Sequence, residues 1–191
     1  VQIGGAPFNM TVAGLKLASV ANGVAQLHGD TARRMWEDVD DRAPIKAITN
    51  GVHRPSWVDE RITNNKDNPE KLWNSHQKIK NELIDFIADK TGTELDSDKL
   101  LIGFARRAAP YKRSDFIFRK PEIIGEYLER GDIQIVFSGK AHPLDDTGKD
   151  IVQNLIRMTE KYPDSVVFLE DYNIEIGRML TRGVDLWLNN P

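Results

Sequence analysis

Apolar positions change their period once along this chain, soon after residue 92. In the first part they recur at roughly helical spacing. Met10, Leu15, Leu17, Val20, Val24 and Leu27 predict one helix over 8–36. Asn22-Gly23 interrupts it. A glycine inside a helix costs about 1 kcal/mol relative to alanine, so the break predicts a close backbone contact there, for example with a ligand. Ile45 to Thr49 reads as a short strand and Asn50-Gly51 as a turn. Residues 52–57, with Pro55, read as irregular, and 64–69 as a polar loop. A long helix is expected over 69–90. Pro69 suits its first turn, Leu72, Ile79, Leu83, Phe86 and Ile87 supply its apolar stripe, and Thr91-Gly92-Thr93 ends it.

Beyond that point the apolar residues form short continuous runs, 100–105, 133–139, 166–169 and 184–188, each read as a buried parallel strand. Between them 114–130, 145–161 and 174–182 read as helices. Strands alternating with helices predict βαβ units. The fold class is therefore α/β, a Rossmann-like parallel sheet with flanking helices, and the sheet reads as unfinished at residue 191. The chain opens on the apolar run from Val1 and stops just after an apolar strand, which predicts a piece of a longer protein. No internal repeat or low-complexity tract is visible.

Composition narrows the function classes. The 191 residues are 40% hydrophobic and 29% charged, ordinary for a globular protein of one domain or parts of two. A net charge of −3 gives no case for nucleic-acid binding. The absence of cysteine excludes disulfides, thiolate nucleophiles and cysteine-based zinc sites. No apolar run approaches the roughly 18 residues of a membrane span, and no signal peptide is visible, so a cytoplasmic location is expected without membrane or nucleic-acid partners.

The sharpest chemical feature is Arg106-Arg107-Ala108-Ala109-Pro110-Tyr111-Lys112-Arg113, which places four cations directly after the first parallel strand. Open α/β sheets bind ligands beyond the carboxyl ends of their strands, where a helix amino terminus favours anions. Arginine forks grip phosphate in bidentate fashion and lysine adds a point charge. An anion site, most naturally for phosphate, and a solvated basic loop are the two readings of this stretch. Gly139-Lys140-Ala141-His142 follows the second strand at the same edge, without the spacing of a phosphate-binding P-loop. His142 reads as a general acid or ligand contact, or as the structural histidine that a lone one more often is. Asn50, His53 and Trp57 are turn and core residues, or line a pocket. The acids Asp145-Asp146 and Glu170-Asp171 follow different strands, so no glycosidase pair is implied. No metal site is expected.

Five strings in order carry a resemblance: Asn22-Gly23-Val24-Ala25-Gln26-Leu27-His28, Thr49-Asn50-Gly51-Val52, Arg106-Arg107 to Tyr111-Lys112-Arg113, Gly139-Lys140-Ala141, and Val167-Phe168-Leu169-Glu170-Asp171-Tyr172. Together they resemble the α-glucan (glycogen, starch, maltodextrin) phosphorylases, and Phe104 to Arg107 resembles their shorter bacterial and archaeal branch. The resemblance implies a two-lobed GT-B-type glycosyltransferase fold. Residues 1–57 would be the end of the first lobe and a crossover, and 58–191 the first part of the second lobe. It implies pyridoxal phosphate on a lysine expected beyond Pro191, with the cofactor's phosphate taking part in proton transfer. Orthophosphate would attack a terminal α-1,4 glucosyl unit with retention to give glucose 1-phosphate. The partners implied are α-1,4-glucan and inorganic phosphate, and a homodimeric parent.

Carried over by the same resemblance, Arg107 falls on the substrate-phosphate arginine and Lys112 on a lysine of that site, the catalytic pair. Arg106 falls where a lysine normally contacts the cofactor phosphate. Trp57 and Tyr172 fall on cofactor-pocket aromatics, and Asn50 on an asparagine bonded to the glucosyl unit. The Asn22-Gly23 break would face the cleft. Ser19 departs from the pattern, because many members place a sugar-contacting histidine there. A nucleotide-sugar glycosyltransferase of the glycogen-synthase type and a non-catalytic glucan- or phosphate-binding module are the alternatives.

Overall fold

The computed structural model describes residues 3–190, which form two units meeting at His53 and Arg54. The first unit contains helices α1 (Met10–Leu17) and α2 (Gln26–Met35) and strands β1 (Ala21–Gly23) and β2 (Ile45–Ala47). The single helix expected over 8–36 is thus two helices with a strand between them. Asn9 caps α1 by accepting from the Thr11 and Val12 N–H groups. The chain then extends at Ala18, and β1 pairs in parallel with β2, Ala21 opposite Ile45 and Gly23 opposite Ala47. The break at Gly23 has its own reason within this unit. A Cβ on Gly23 would lie 2.6 Å from the Gly29 nitrogen of α2, and one on Gly29 would lie 2.8 Å from the Ala47 Cβ. Strand and helix backbones meet there at a separation only glycine permits.

The second unit holds α3 (Arg54–Trp57), α4 (Glu60–Asn65), α5 (Pro69–Thr91), β3 (Leu100–Ala105), α6 (Pro121–Glu129), β4 (Ile133–Ser138), α7 (Asp146–Lys161), β5 (Val166–Leu169), α8 (Ile174–Gly183) and β6 (Leu186–Trp187). Residues 52–57 are therefore partly helical where an irregular stretch was expected. The expected helix over 114–130 is a 3-10 turn, Phe116–Arg119, followed by α6, because Pro121 can only open a helix. α5 starts at the Asn68 cap with Pro69 in its first turn and ends on Gly92, whose φ of 74° is left-handed.

All four strands of the main sheet are parallel, in the order β5-β4-β3-β6. The chain steps outward from β3 to β4 to β5, then crosses back to place β6 on the other side of β3. Helices cover both faces, which is why the strands read as continuous apolar runs. On one face Leu83, Ile87, Ile176 and Leu180 of α5 and α8 pack against Leu101, Val136 and Val167. On the other, Leu128 and Leu155 of α6 and α7 pack against Ile102, Phe104, Ile135 and Phe137. Neighbouring β3 residues thus serve opposite cores. This is the α/β, Rossmann-like parallel sheet that the sequence predicts. Among the described residues no helix is long and apolar enough to cross a membrane.

Candidate functional site

The reversal of strand order between β3 and β6 is a topological switch point, where open α/β sheets bind ligands at the carboxyl edge. The basic loop 106–113 leaves β3 at that point, and residues 188–190 leave β6 beside it. Main-chain bonds seat the loop. The Arg106 N–H donates to the Ser138 carbonyl at 3.3 Å and the Ala108 N–H to the Lys140 carbonyl at 3.1 Å. Gly139 makes this approach possible: its φ is 154°, and a Cβ there would lie 2.1 Å from the Arg106 carbonyl oxygen. Ala108, Ala109 and Ser114 are buried, while Arg107, Tyr111 and Arg113 are exposed and Arg106 and Lys112 half-buried. Small residues anchor the loop and long cationic ones project from it. Pro110–Lys112 forms a 3-10 turn that closes on Arg113 with φ 50°. The amino end of α7 lies against the same loop, with Gly148 close to the Ala108 carbonyl.

Arg106 Nη1 donates to Asn189 Oδ1 at 3.0 Å and to the Asn190 carbonyl at 2.7 Å, and Asn190 Nδ2 donates to the Arg113 carbonyl at 2.7 Å. Lys112 Nζ lies 4.5 Å from the centre of the Tyr111 ring and the Arg113 guanidinium 5.9 Å from that of Phe116. Among the described residues, none of the four cations in this loop makes an ion pair. Some cations elsewhere in the chain do: Arg33 pairs with Asp30, Arg61 with Asp59 and Glu82, Lys80 with Asp185, and Arg130 with Glu126 and Asp132. Four like charges in one short loop repel one another. A loop that keeps them without acidic partners can bind an anion without first breaking an ion pair.

After β4, Lys140 reaches Asp171 at 3.7 Å, an exposed pair that contributes little. His142 Nδ1 accepts from the Leu144 N–H at 3.1 Å, which leaves Nε2 as the proton-bearing nitrogen of the neutral ring. Tyr172 is half-buried against the core shared by α5 and α8, with its hydroxyl over Gly177. Asn50 belongs to the first unit, where it is exposed and its N–H donates to the Val24 carbonyl at 3.0 Å.

Trp57 lies elsewhere in the second unit. It lines a cavity of about 560 Å³ with Asp59, Trp73, His76, Arg182 and Asp185. Asp185 immediately precedes β6, so this cavity lies at the amino edge of the sheet, and Trp57 is not brought to the basic loop. Arg182 donates to the Trp57 and Ser56 carbonyls, a cation at the end of α3. Asp185 binds Lys80 Nζ at 2.6 Å, His76 Nε2 at 2.7 Å and the Leu101 N–H at 2.8 Å. Burial raises the Asp185 pKa, but bonds from Lys80 and His76 outweigh it and hold the carboxyl below its ordinary range. Asp59 is lowered to about 2, chiefly by its side-chain bond to Arg61. Sequence reading missed Asn189, Asn190 and Asp185. The only signal for the two asparagines was an Asn-Asn pair directly after an apolar strand. Among the described residues no group of acids and histidines is placed to hold a metal ion.

No family model matches the chain. It is 34% identical to the glycogen phosphorylase of Aquifex aeolicus, over 96% of this chain and 33% of that protein. It is 30% identical to the maltodextrin phosphorylase of Thermococcus litoralis, over 98% of this chain and 28% of that protein. It is 32% identical to the glycogen phosphorylase of Mycobacterium tuberculosis strain H37Rv, over 97% and 27%. The chain thus spans about a third of the length of these curated relatives. The Aquifex alignment runs over 230 residues, more than the 191 of this chain, so that relative carries residues here that this chain lacks.

Proposed function

From a chain that belongs to the α-glucan phosphorylase family along nearly its whole length, we propose that residues 106–113 form the phosphate site of an α-glucan phosphorylase. One observation carries the reading: four cations without an acidic partner stand at the switch point of a parallel sheet. In this reading residues 1–57 close the first lobe and 58–191 begin the second lobe of a GT-B-type enzyme.

The reaction is phosphorolysis. An orthophosphate oxygen forms a bond to C1 of the terminal glucosyl unit, the C1–O4 bond breaks, and O4 leaves with a proton as the hydroxyl of the shortened glucan. Arg107 and Lys112 bind and orient the attacking phosphate and offset charge as it moves along the reaction path. Asn50 is assigned to the glucosyl hydroxyls. Pyridoxal phosphate is the cofactor this family implies, and its phosphate would supply proton transfer beside the attacking phosphate. The donor set fits a phosphate ester, since Arg106 keeps Nε and Nη2 available while Nη1 is tethered. Tyr172 is assigned to the cofactor's ring on the family pattern; Trp57, which lines the cavity at the amino edge of the sheet, is not.

Glucose 1-phosphate release tests the reading. The full-length protein carrying these residues is incubated with maltoheptaose and phosphate, with and without added pyridoxal phosphate. The expected result is cofactor-dependent release, reduced at least a hundredfold in Arg107→Ala without loss of thermal stability. Transfer from a nucleotide sugar with no phosphorolysis would move the assignment to a synthase-type glycosyltransferase. Glucan binding with neither reaction would leave a binding module.

A further inference from the structure

The basic loop raises a physical problem that its own residues do not solve. Four cations in 106–113 repel one another, and the loop contains no acid to hold them together. The restraint comes from across the switch point. Asn189 and Asn190 at the end of β6 make three hydrogen bonds to the loop, two from Arg106 at its start and one to the Arg113 carbonyl at its end. Both hydrogens of Arg106 Nη1 are used. Every one of these partners is a neutral amide.

That choice of partner has a chemical consequence. A carboxylate would tether Arg106 more strongly, but it would cancel the charge the loop presents. A carboxamide fixes the guanidinium and leaves its charge available to an anion. We propose that Asn189 and Asn190 are positioning residues of the anion site, tethering both ends of the basic loop by neutral hydrogen bonds so that its cations are ordered before phosphate arrives. The inference rests on the phosphate-site reading and adds the device that pre-organises it.

The test uses the full-length protein, with inorganic phosphate as the probe. Phosphate Kd by calorimetry, KM for phosphate, KM for maltoheptaose and thermal stability are measured for wild type, Asn189→Leu, Asn190→Leu, Arg106→Leu and the Arg106→Leu/Asn189→Leu double variant. Each asparagine variant is expected to raise the phosphate Kd and KM about fivefold, the worth of one net hydrogen bond. The glucan KM should stay within about twofold, a split that general damage to the fold would not produce. Because Asn189 acts through Arg106, Asn189→Leu should add almost nothing in the Arg106→Leu background. Unchanged phosphate binding in both asparagine variants, or additive effects of Arg106→Leu and Asn189→Leu, would overturn the inference and leave the phosphate site standing. Wild-type protein that binds no phosphate, or Arg107→Ala that binds it as tightly as wild type, would overturn the site reading and the inference together.

Discussion

Asp185→Ala should be among the most damaging single changes in the second unit. The Asp185 carboxylate joins α5 to β3 and β6 through Lys80, His76 and the Leu101 N–H, at 2.6 to 2.8 Å. Lys80 is 2% exposed, and its other partner is the Lys99 carbonyl at 2.6 Å. Removing the carboxylate leaves a buried ammonium with one neutral acceptor, a loss of about 3–5 kcal/mol for breaking a buried pair. At a urea slope of about 2 kcal/mol per molar, the midpoint falls by about 1.5–2.5 M. Asp185→Asn keeps the shape and one acceptor but turns an N–H group toward a donor, so its cost is about 1–3 kcal/mol. Lys80→Met combined with Asp185→Leu removes both charges and should recover part of the loss, though the Leu101 N–H stays unpaired. Urea melts followed by tryptophan fluorescence suit the test, because Trp73 lies 5.6 Å from the His76 ring. A midpoint shift below about 0.5 M for Asp185→Ala, or a double variant no more stable than it, would refute the reasoning.

Acid titration offers a second check. The Asp59 pKa of about 2 lies below its ordinary 3.8, so its stabilisation is complete above pH 4 and is lost as pH falls toward 2. Asp185 titrates in the same direction. Asp59→Asn should therefore lower stability at pH 7 by about 1 kcal/mol and flatten the melting-temperature curve between pH 4 and 2. An unchanged acid limb would count against the Asp59–Arg61 bond. At Gly139, substitution by alanine sets a Cβ against the Arg106 carbonyl and strains a φ of 154°. The basic loop must move, and phosphate affinity should fall at least tenfold, as calorimetry would show; unaltered affinity would disprove the contact.

The strands over 100–105 and 166–169 were legible to the residue, because parallel strands covered on both faces are continuous apolar runs. The first unit was less so. Met10, Leu17, Val20, Val24 and Leu27 are exposed, so their helical spacing marks no single buried stripe. α4 escaped notice because it is held by polar contacts, the Asp59 cap, Arg61 to Glu82 and Asn65 to Ser75. The candidate site divides the same way. The cations of 106–113 are contiguous, and their place after a strand announces an anion site. Asn190 lies 77 residues from its partner Arg113. Only the crossover that sets β6 beside β3 joins them, and no local pattern encodes that step. Trp57 shows the same limit, since its sequence position does not reveal which edge of the sheet it faces.

The unpaired cations also bear on how fast an anion arrives. The chain as a whole is acidic, at −3, yet four cations without an ion pair stand together at one edge of one sheet, beside the amino end of α7. Clustered charge of one sign draws a diffusing anion toward that edge, so the local field acts as a funnel. Capture should then be quick in dilute buffer and slow as added salt shortens the reach of the field, about 10 Å at 0.1 M. The neutral asparagines that hold the loop leave that funnel intact.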